Sequence, residues 1–174
     1  DHARWLFIAA SVAALVASAY LLVRFFGYRA SSWLFPALLT VFFVTEAVSN
    51  TLIFTNFNGF VLLGMTAFLL LLKNNRELWA GVMIGLTLSV KPVLAPLLLL
   101  PLLNRQWKAL IPAIGVPVVL NAVAWPIAND PKAFIDRTAP YLMESRDYYN
   151  SSLSGFGAYF GVDGWLILLL RIAI

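Results

Sequence analysis

The chain has no cysteine and a single histidine, His2, among its 174 residues. A disulfide framework and a thiolate metal site are therefore excluded, and so is a His-rich metal cluster. Charge is scarce as well: Asp, Glu, Lys and Arg make up 11% of the residues, against 61% that are hydrophobic. Apolar runs are too many for one soluble core, which puts the chain in a lipid bilayer. P-loops, G-x-S-x-G nucleophile elbows and zinc-ligand spacings are all missing. No basic surface interleaved with aromatics suggests nucleic acid, because three short links account for much of the formal net charge of +4.

What is present is a succession of apolar segments, at about 5–23, 33–49, 59–72, 78–90, 92–103, 109–127 and 165–174. They predict an all-α polytopic membrane protein, read as one membrane segment over 1–174 with an outer loop over about 128–164. The links Arg24/Arg29, Lys73/Arg76 and Arg105/Lys108 hold six of the 12 Lys and Arg, and the positive-inside rule places them in the cytoplasm. Six of the 8 acidic residues, Glu46, Asp130, Asp136, Glu144, Asp147 and Asp163, then fall in or beside segments facing the other side. The chain starts at Asp1 without a signal-peptide pattern, and 165–174 is only about 15 Å of helix. The expectation is a piece of a larger protein whose other helices complete it.

Lys91-Pro92 interrupts the apolar run from Leu78 to Leu103. An ammonium at the centre of a membrane helix costs roughly 2.5–3.5 kcal/mol, so it requires a partner or a use. As one kinked span, this run would separate Lys73/Arg76 from Arg105/Lys108 across the bilayer; as a hairpin it keeps all basic links together. Each arm of about 12–13 residues reaches only about 18–20 Å, which leaves the tip inside the membrane. Broken backbone at that depth is tolerated only against protein or a wet cavity.

Helix N-termini at Asn58-Gly59 and at Pro92 are expected to converge with Lys91 on the outer side, a combination suited to a phosphate. The same residues also read as plain helix ends, with Asn58 as an N-cap, Pro92 as an ordinary first residue, and Lys91 dipole-favoured or paired with Glu46. Glu46 and Asn50, four apart, share a helical face and form a second polar cluster with Asn56 and Asn58. Glu46 reads as counter-ion to Lys91 or as a contact to sugar hydroxyls. In the outer loop, Arg146, Asp147, Tyr149 and Asn150 combine a phosphate clamp, a carboxylate, a stacking ring and an amide, the mixture that binds sugars. A helix anchored at the membrane surface uses that mixture too. Gly81 and Gly85 read as a helix-packing face.

Four stretches carry a resemblance in unbroken order: Phe54-Thr-Asn-Phe-Asn58-Gly59, Gly81-Val-Met-Ile-Gly85-Leu-Thr-Leu-Ser-Val-Lys91-Pro92, Leu102-Leu-Asn-Arg-Gln-Trp107, and Arg146-Asp-Tyr-Tyr-Asn150-Ser-Ser with Tyr159-Phe-Gly161. Across nearly its whole length the chain resembles the polyprenyl-phosphate-dependent GT-C glycosyltransferases of family 87. The resemblance implies a GT-C type helical bundle in the plasma membrane with a site open to the periplasm or cell exterior. It implies transfer of arabinofuranose from decaprenyl-phosphoryl arabinose to the 3-hydroxyl of an α-(1→5) arabinan; some GT-C enzymes use a metal, but no cofactor is expected from this sequence. Sibling enzymes use polyprenyl-phosphate mannose, and that donor stays open, as does an anion or lipid transporter component.

With the resemblance, Lys91 and Asn58 are expected at the lipid phosphate, and Arg146 at the phosphate or sugar. Glu46, Asn56, Asp147, Tyr149 and Asn150 are expected as polar lining. The family's catalytic base is an aspartate in the first outer loop, expected upstream of this chain, which leaves Asp147 as the fallback here. No metal-ligand spacing accompanies them.

Overall fold

The structure, a computed structural model, describes residues 2–128, 130–138, 140–141 and 159. Two compact units divide the chain, Asp1–Ala124 and Trp125–Ile174.

The first unit is wholly helical among its described residues: α1 (His2–Phe25), α2 (Leu34–Val44), α3 (Glu46–Ile53), α4 (Asn58–Lys73), α5 (Glu77–Val90), a 3-10 segment (Pro92–Leu98), α6 (Leu99–Leu103) and α7 (Trp107–Ala124). Helix α4 packs between α1 and α5, and α5 packs between α4 and α7. Two of the described apolar helices, His2–Phe25 and Trp107–Ile127, are long enough to cross a bilayer. The fold is that of an all-α membrane protein.

Glycine decides how closely these helices approach. A Cβ added at Gly64 would lie 2.0 Å from Thr87 Oγ1, one at Gly81 would lie 2.1 Å from the Ala109 carbonyl, and one at Gly85 would lie 2.8 Å from the Pro112 carbonyl. In lipid, where apolar surface gains little by leaving the solvent, such close backbone approach and the dispersion it permits are what hold helices together. The buried side chains around these crossings are Phe68, Ala80, Ile84, Leu88 and Ala113.

Contacts at both ends give the relative directions of these helices. Phe7 of α1 meets Phe57 and Phe60 at the start of α4, and Lys73 at the end of α4 donates to the carbonyl of Phe25 at the end of α1, so α1 and α4 run parallel. The tight turn Asn74–Arg76 then sends α5 back antiparallel. Past Pro92 the chain returns: Leu100, Asn104 and Gln106 line one cavity with Phe25 and Lys73, and Lys108 lines another with Arg76. All three basic links therefore stand at one end of the unit, while Asn58 and Lys91 stand at the other.

The returning arm is not the α-helix that the sequence suggests. Prolines at 92, 96 and 101 remove backbone donors, and the ring of Pro96 would strike the carbonyl four residues earlier in an α-turn. Residues Pro92–Leu98 adopt the tighter 3-10 form instead. At about 2.0 Å of rise per residue, this segment and α6 together cover about 21 Å, the same as the longer α5 at about 1.5 Å per residue. Both arms stop short of the roughly 30 Å of hydrocarbon that a span must cross.

A second difference lies in the run expected as one helix over 33–49. It breaks at Thr45, where α2 and α3 meet at 64°. Thr45 takes an extended backbone, and its hydroxyl donates to the carbonyl of Phe42 at 2.7 Å, a local bond that competes with continuing the helix.

In the second unit, Asp130 caps the short helix Pro131–Ala133 by accepting from the Ala133 amide at 3.1 Å, and residues Phe134–Thr138 continue in a wider turn. Most of the loop expected over 128–164, and the segment 165–174, lie outside the described residues.

Candidate functional site

The site begins with the backbone around Lys91. A residue before proline is pushed out of the helical region, and Lys91 accordingly sits at φ −134°, ψ 84°, ending α5 while its amide still donates to the Thr87 carbonyl at 2.8 Å. Its side chain crosses to α4, where the ammonium donates to Oδ1 of Asn58.

Asn58 is placed by the turn between α3 and α4. Thr55 holds a positive φ of 49°, a left-handed conformation costly for a β-branched residue, which lets the Asn56 amide reach back to the Thr51 carbonyl at 2.9 Å. From there the Nδ2 of Asn58 donates to Thr51 Oγ1 at 3.2 Å, and the Thr51 hydroxyl donates to the Ala47 carbonyl at 2.7 Å. Each group uses its own chemistry: an ammonium can only donate, an amide accepts with oxygen and donates with nitrogen, and a hydroxyl does both. This chain of bonds fixes the amide's orientation and holds the cation between three helices.

One of the three ammonium donors of Lys91 is spent on Asn58, which leaves two for a ligand. Among the described residues no carboxylate forms an ion pair with Lys91. Glu46, expected as its counter-ion, is exposed and instead accepts from Asn50 within α3 at 3.4 Å. The break at Thr45 accounts for this, since it makes Glu46 the first residue of a new helix, where a carboxylate is favoured by the dipole. Asn56 is exposed in the turn. Arg146, Asp147, Tyr149 and Asn150 lie outside the described residues.

The second helix opening, expected at Pro92 as a dipole facing a phosphate, starts a 3-10 segment, so α4 supplies the α-helical N-terminus nearest Lys91.

Beside the Lys91–Asn58 pair is a cavity of about 530 Å³ lined by Phe7, Phe57, Phe60, Met83, Leu86 and Val90 among others. Phe57 and Phe60 flank Asn58 in sequence and Val90 precedes Lys91, so the cation and the apolar space are adjacent. The three rings pack edge-on or tilted, with centroids 5.2 to 6.0 Å apart. A positive group next to an apolar cavity is complementary to an anionic amphiphile.

Thr51 and Phe7 were not evident from sequence. Thr51 precedes Asn58 by 7 residues across the turn between α3 and α4, and Phe7 joins only through the packing of α1 on α4. Phe57 and Phe60, three apart around Asn58, were the available signal.

A helical membrane protein with a broken, short-armed hairpin and a cation at its tip is the class that fold and site define. The chain belongs to glycosyltransferase family 87, whose model matches residues 1–174. It is 54% identical, over 99% of its length, to an alpha-(1->3)-arabinofuranosyltransferase of Mycolicibacterium smegmatis. The proteins of the same name from Mycobacterium tuberculosis H37Rv and Corynebacterium glutamicum are 52% and 43% identical, over 97% and 94% of the chain. The chain spans 39% to 41% of the length of these relatives. No solved structure matches it.

Proposed function

We propose that the full-length protein is a membrane arabinofuranosyltransferase that takes the sugar from decaprenyl-phosphoryl arabinose and adds it to the 3-hydroxyl of an α-(1→5) arabinan, creating a branch. The shared name of the relatives supports the sugar and the linkage. The single observation that carries the donor is the Lys91–Asn58 pair beside an apolar cavity: phosphate at the ammonium, first prenyl units among Phe7, Phe57 and Phe60.

In the transfer, the acceptor oxygen bonds to the anomeric carbon as the bond from that carbon to the phosphate oxygen breaks. The hydroxyl proton passes to a carboxylate base, for which Asp147 is this chain's candidate. The departing lipid phosphate changes from a diester with one negative charge to a monoester with two. Because that second charge develops during the reaction, a fixed ammonium stabilises the transition state more than the bound donor, which is what raises kcat. Asn58 contributes by holding the ammonium in place before the charge appears. Arg146, Glu46, Asn56, Tyr149 and Asn150 complete the polar lining. With the basic links in the cytoplasm, the Lys91 end faces the periplasm or cell exterior.

Full-length protein in vesicles, given labelled decaprenyl-phosphoryl arabinose and a synthetic arabinan, is expected to release decaprenyl phosphate in step with branched product. Anion flux with neither product contradicts the reading, and turnover of a mannose donor alone changes the sugar.

A further inference from the structure

The basic end of the bundle holds a second cavity that sugar transfer does not use. It measures about 490 Å³ and is bounded by the end of α1, the last turns of α4, and the α6 to α7 turn. Its lining is graded: Leu69, Leu72 and Leu100 are apolar, whereas Lys73, Asn104 and Gln106 are polar. The Lys73 ammonium donates to the Phe25 carbonyl and lies 5.3 Å from the centre of the Phe25 ring, which fixes the cation beside the cavity and leaves two N–H donors. The Oε1 of Gln106 is buried and, among the described residues, accepts no hydrogen bond. A buried acceptor without a donor costs free energy, which a turn of the Gln106 side chain toward a ligand hydroxyl in the cavity recovers. Around the cavity, Arg24, Arg29, Arg76, Arg105 and Lys108 are exposed and add to one positive field.

From this juxtaposition we infer that the cavity binds an anionic phospholipid with a hydroxyl-bearing headgroup, drawn from the leaflet at the basic end. The lipid phosphate accepts from Lys73, a headgroup hydroxyl donates to Gln106 Oε1, and an acyl chain lies along Leu69, Leu72 and Leu100. Charge alone selects anionic over zwitterionic lipid; the orphaned acceptor adds selection for a hydroxyl. A basic pocket between helices at this level of the membrane is where such headgroups bind. The inference does not depend on the donor site, which lies at the opposite end.

Three lipids separate the contributions: phosphatidylglycerol, which has charge and hydroxyls; phosphatidylethanol, which has the same charge without hydroxyls; and phosphatidylcholine, which has neither net charge nor hydroxyl. Each is incubated with the full-length protein in detergent, and the lipid retained is counted by native mass spectrometry. Retention is expected to fall in that order. Lys73→Met is expected to lower phosphatidylglycerol retention about fivefold, as loss of one near-surface cation does. Gln106→Leu, which leaves every charge in place, is expected to erase the preference for phosphatidylglycerol over phosphatidylethanol while both stay above phosphatidylcholine. Lys91→Met, which removes the cation of the opposite site, is expected to leave the preference for phosphatidylglycerol over phosphatidylethanol unchanged. Equal retention of phosphatidylglycerol and phosphatidylcholine overturns the inference, as does wild-type retention in both the Lys73 and Gln106 variants, or a preference for phosphatidylglycerol over phosphatidylethanol that is lost in Lys91→Met instead.

Discussion

Lys91→Met in the full-length protein is expected to lower sugar transfer on the order of 10²–10³-fold, the usual cost of removing one donor from a developing oxyanion. Methionine keeps the length and apolar stem of lysine and removes the charge. Its effect on folding is expected to be small, because the half-buried ammonium leaves with its desolvation cost, and the one group left short of a partner is Asn58 Oδ1. The loss should fall mainly on kcat, since the second phosphate charge exists only as the donor bond breaks. Lys91→Arg is expected to recover part of the rate: the charge stays, but a planar fork replaces a compact ammonium that Asn58 holds at one point. Initial rates with labelled donor, beside a size-exclusion profile for each variant, check the pair. A well-folded methionine variant with the wild-type rate removes Lys91 from the site.

The largest structural effect is expected at Gly81. A Cβ there would lie 2.1 Å from the Ala109 carbonyl, 2.5 Å from Pro112 Cγ and 2.9 Å from the Ala109 carbonyl carbon. Two of these atoms are backbone, so no rotamer change relieves the clash, and α5 must move away from α7. Overpacking costs about 1–3 kcal/mol when side chains can yield, and more when they cannot. Against a total stability of about 5–15 kcal/mol, Gly81→Leu is expected to leave little folded protein. The control is Gly115, also a helical glycine, where an added Cβ meets nothing within 4 Å. Gly115→Ala is expected to unfold at the same temperature as wild type or higher, because alanine is favoured over glycine inside a helix by about 1 kcal/mol. Fluorescence-detected size exclusion after a heating series measures both. Equal survival of the Gly81 and Gly115 variants contradicts the close packing of α5 on α7.

How much of this was legible in the sequence depended on which interactions are local. The solvent class and the return at Lys91-Pro92 follow from composition and from the spacing of three basic links, both one-dimensional properties. The Gly81 and Gly85 face was legible because their spacing of four puts them on one side of a helix. Lys91 and Asn58 could each be singled out, as a charge too costly to leave unused and an amide at a helix start. Their bond to one another could not, because 33 residues, two helices and the turn between them separate the two. The counter-ion role for Glu46 failed for a related reason. The run 33–49 reads as one apolar segment, whereas the Thr45 hydroxyl bonds its own preceding turn and a new helix starts at Glu46. Likewise, the 3-10 form of Pro92–Leu98 follows from Pro92 and Pro96 four residues apart, which an apolar-run reading does not weigh.

The most direct measurement is the position of the donor phosphate in the full-length protein, by density for a non-transferable analogue of decaprenyl-phosphoryl arabinose. The phosphate is expected within hydrogen-bond distance of the Lys91 ammonium, about 2.7–3.2 Å, with the prenyl chain passing Phe57 and Phe60. A headgroup bound away from Lys91, or at the end that carries Lys73 and Arg105, contradicts the account.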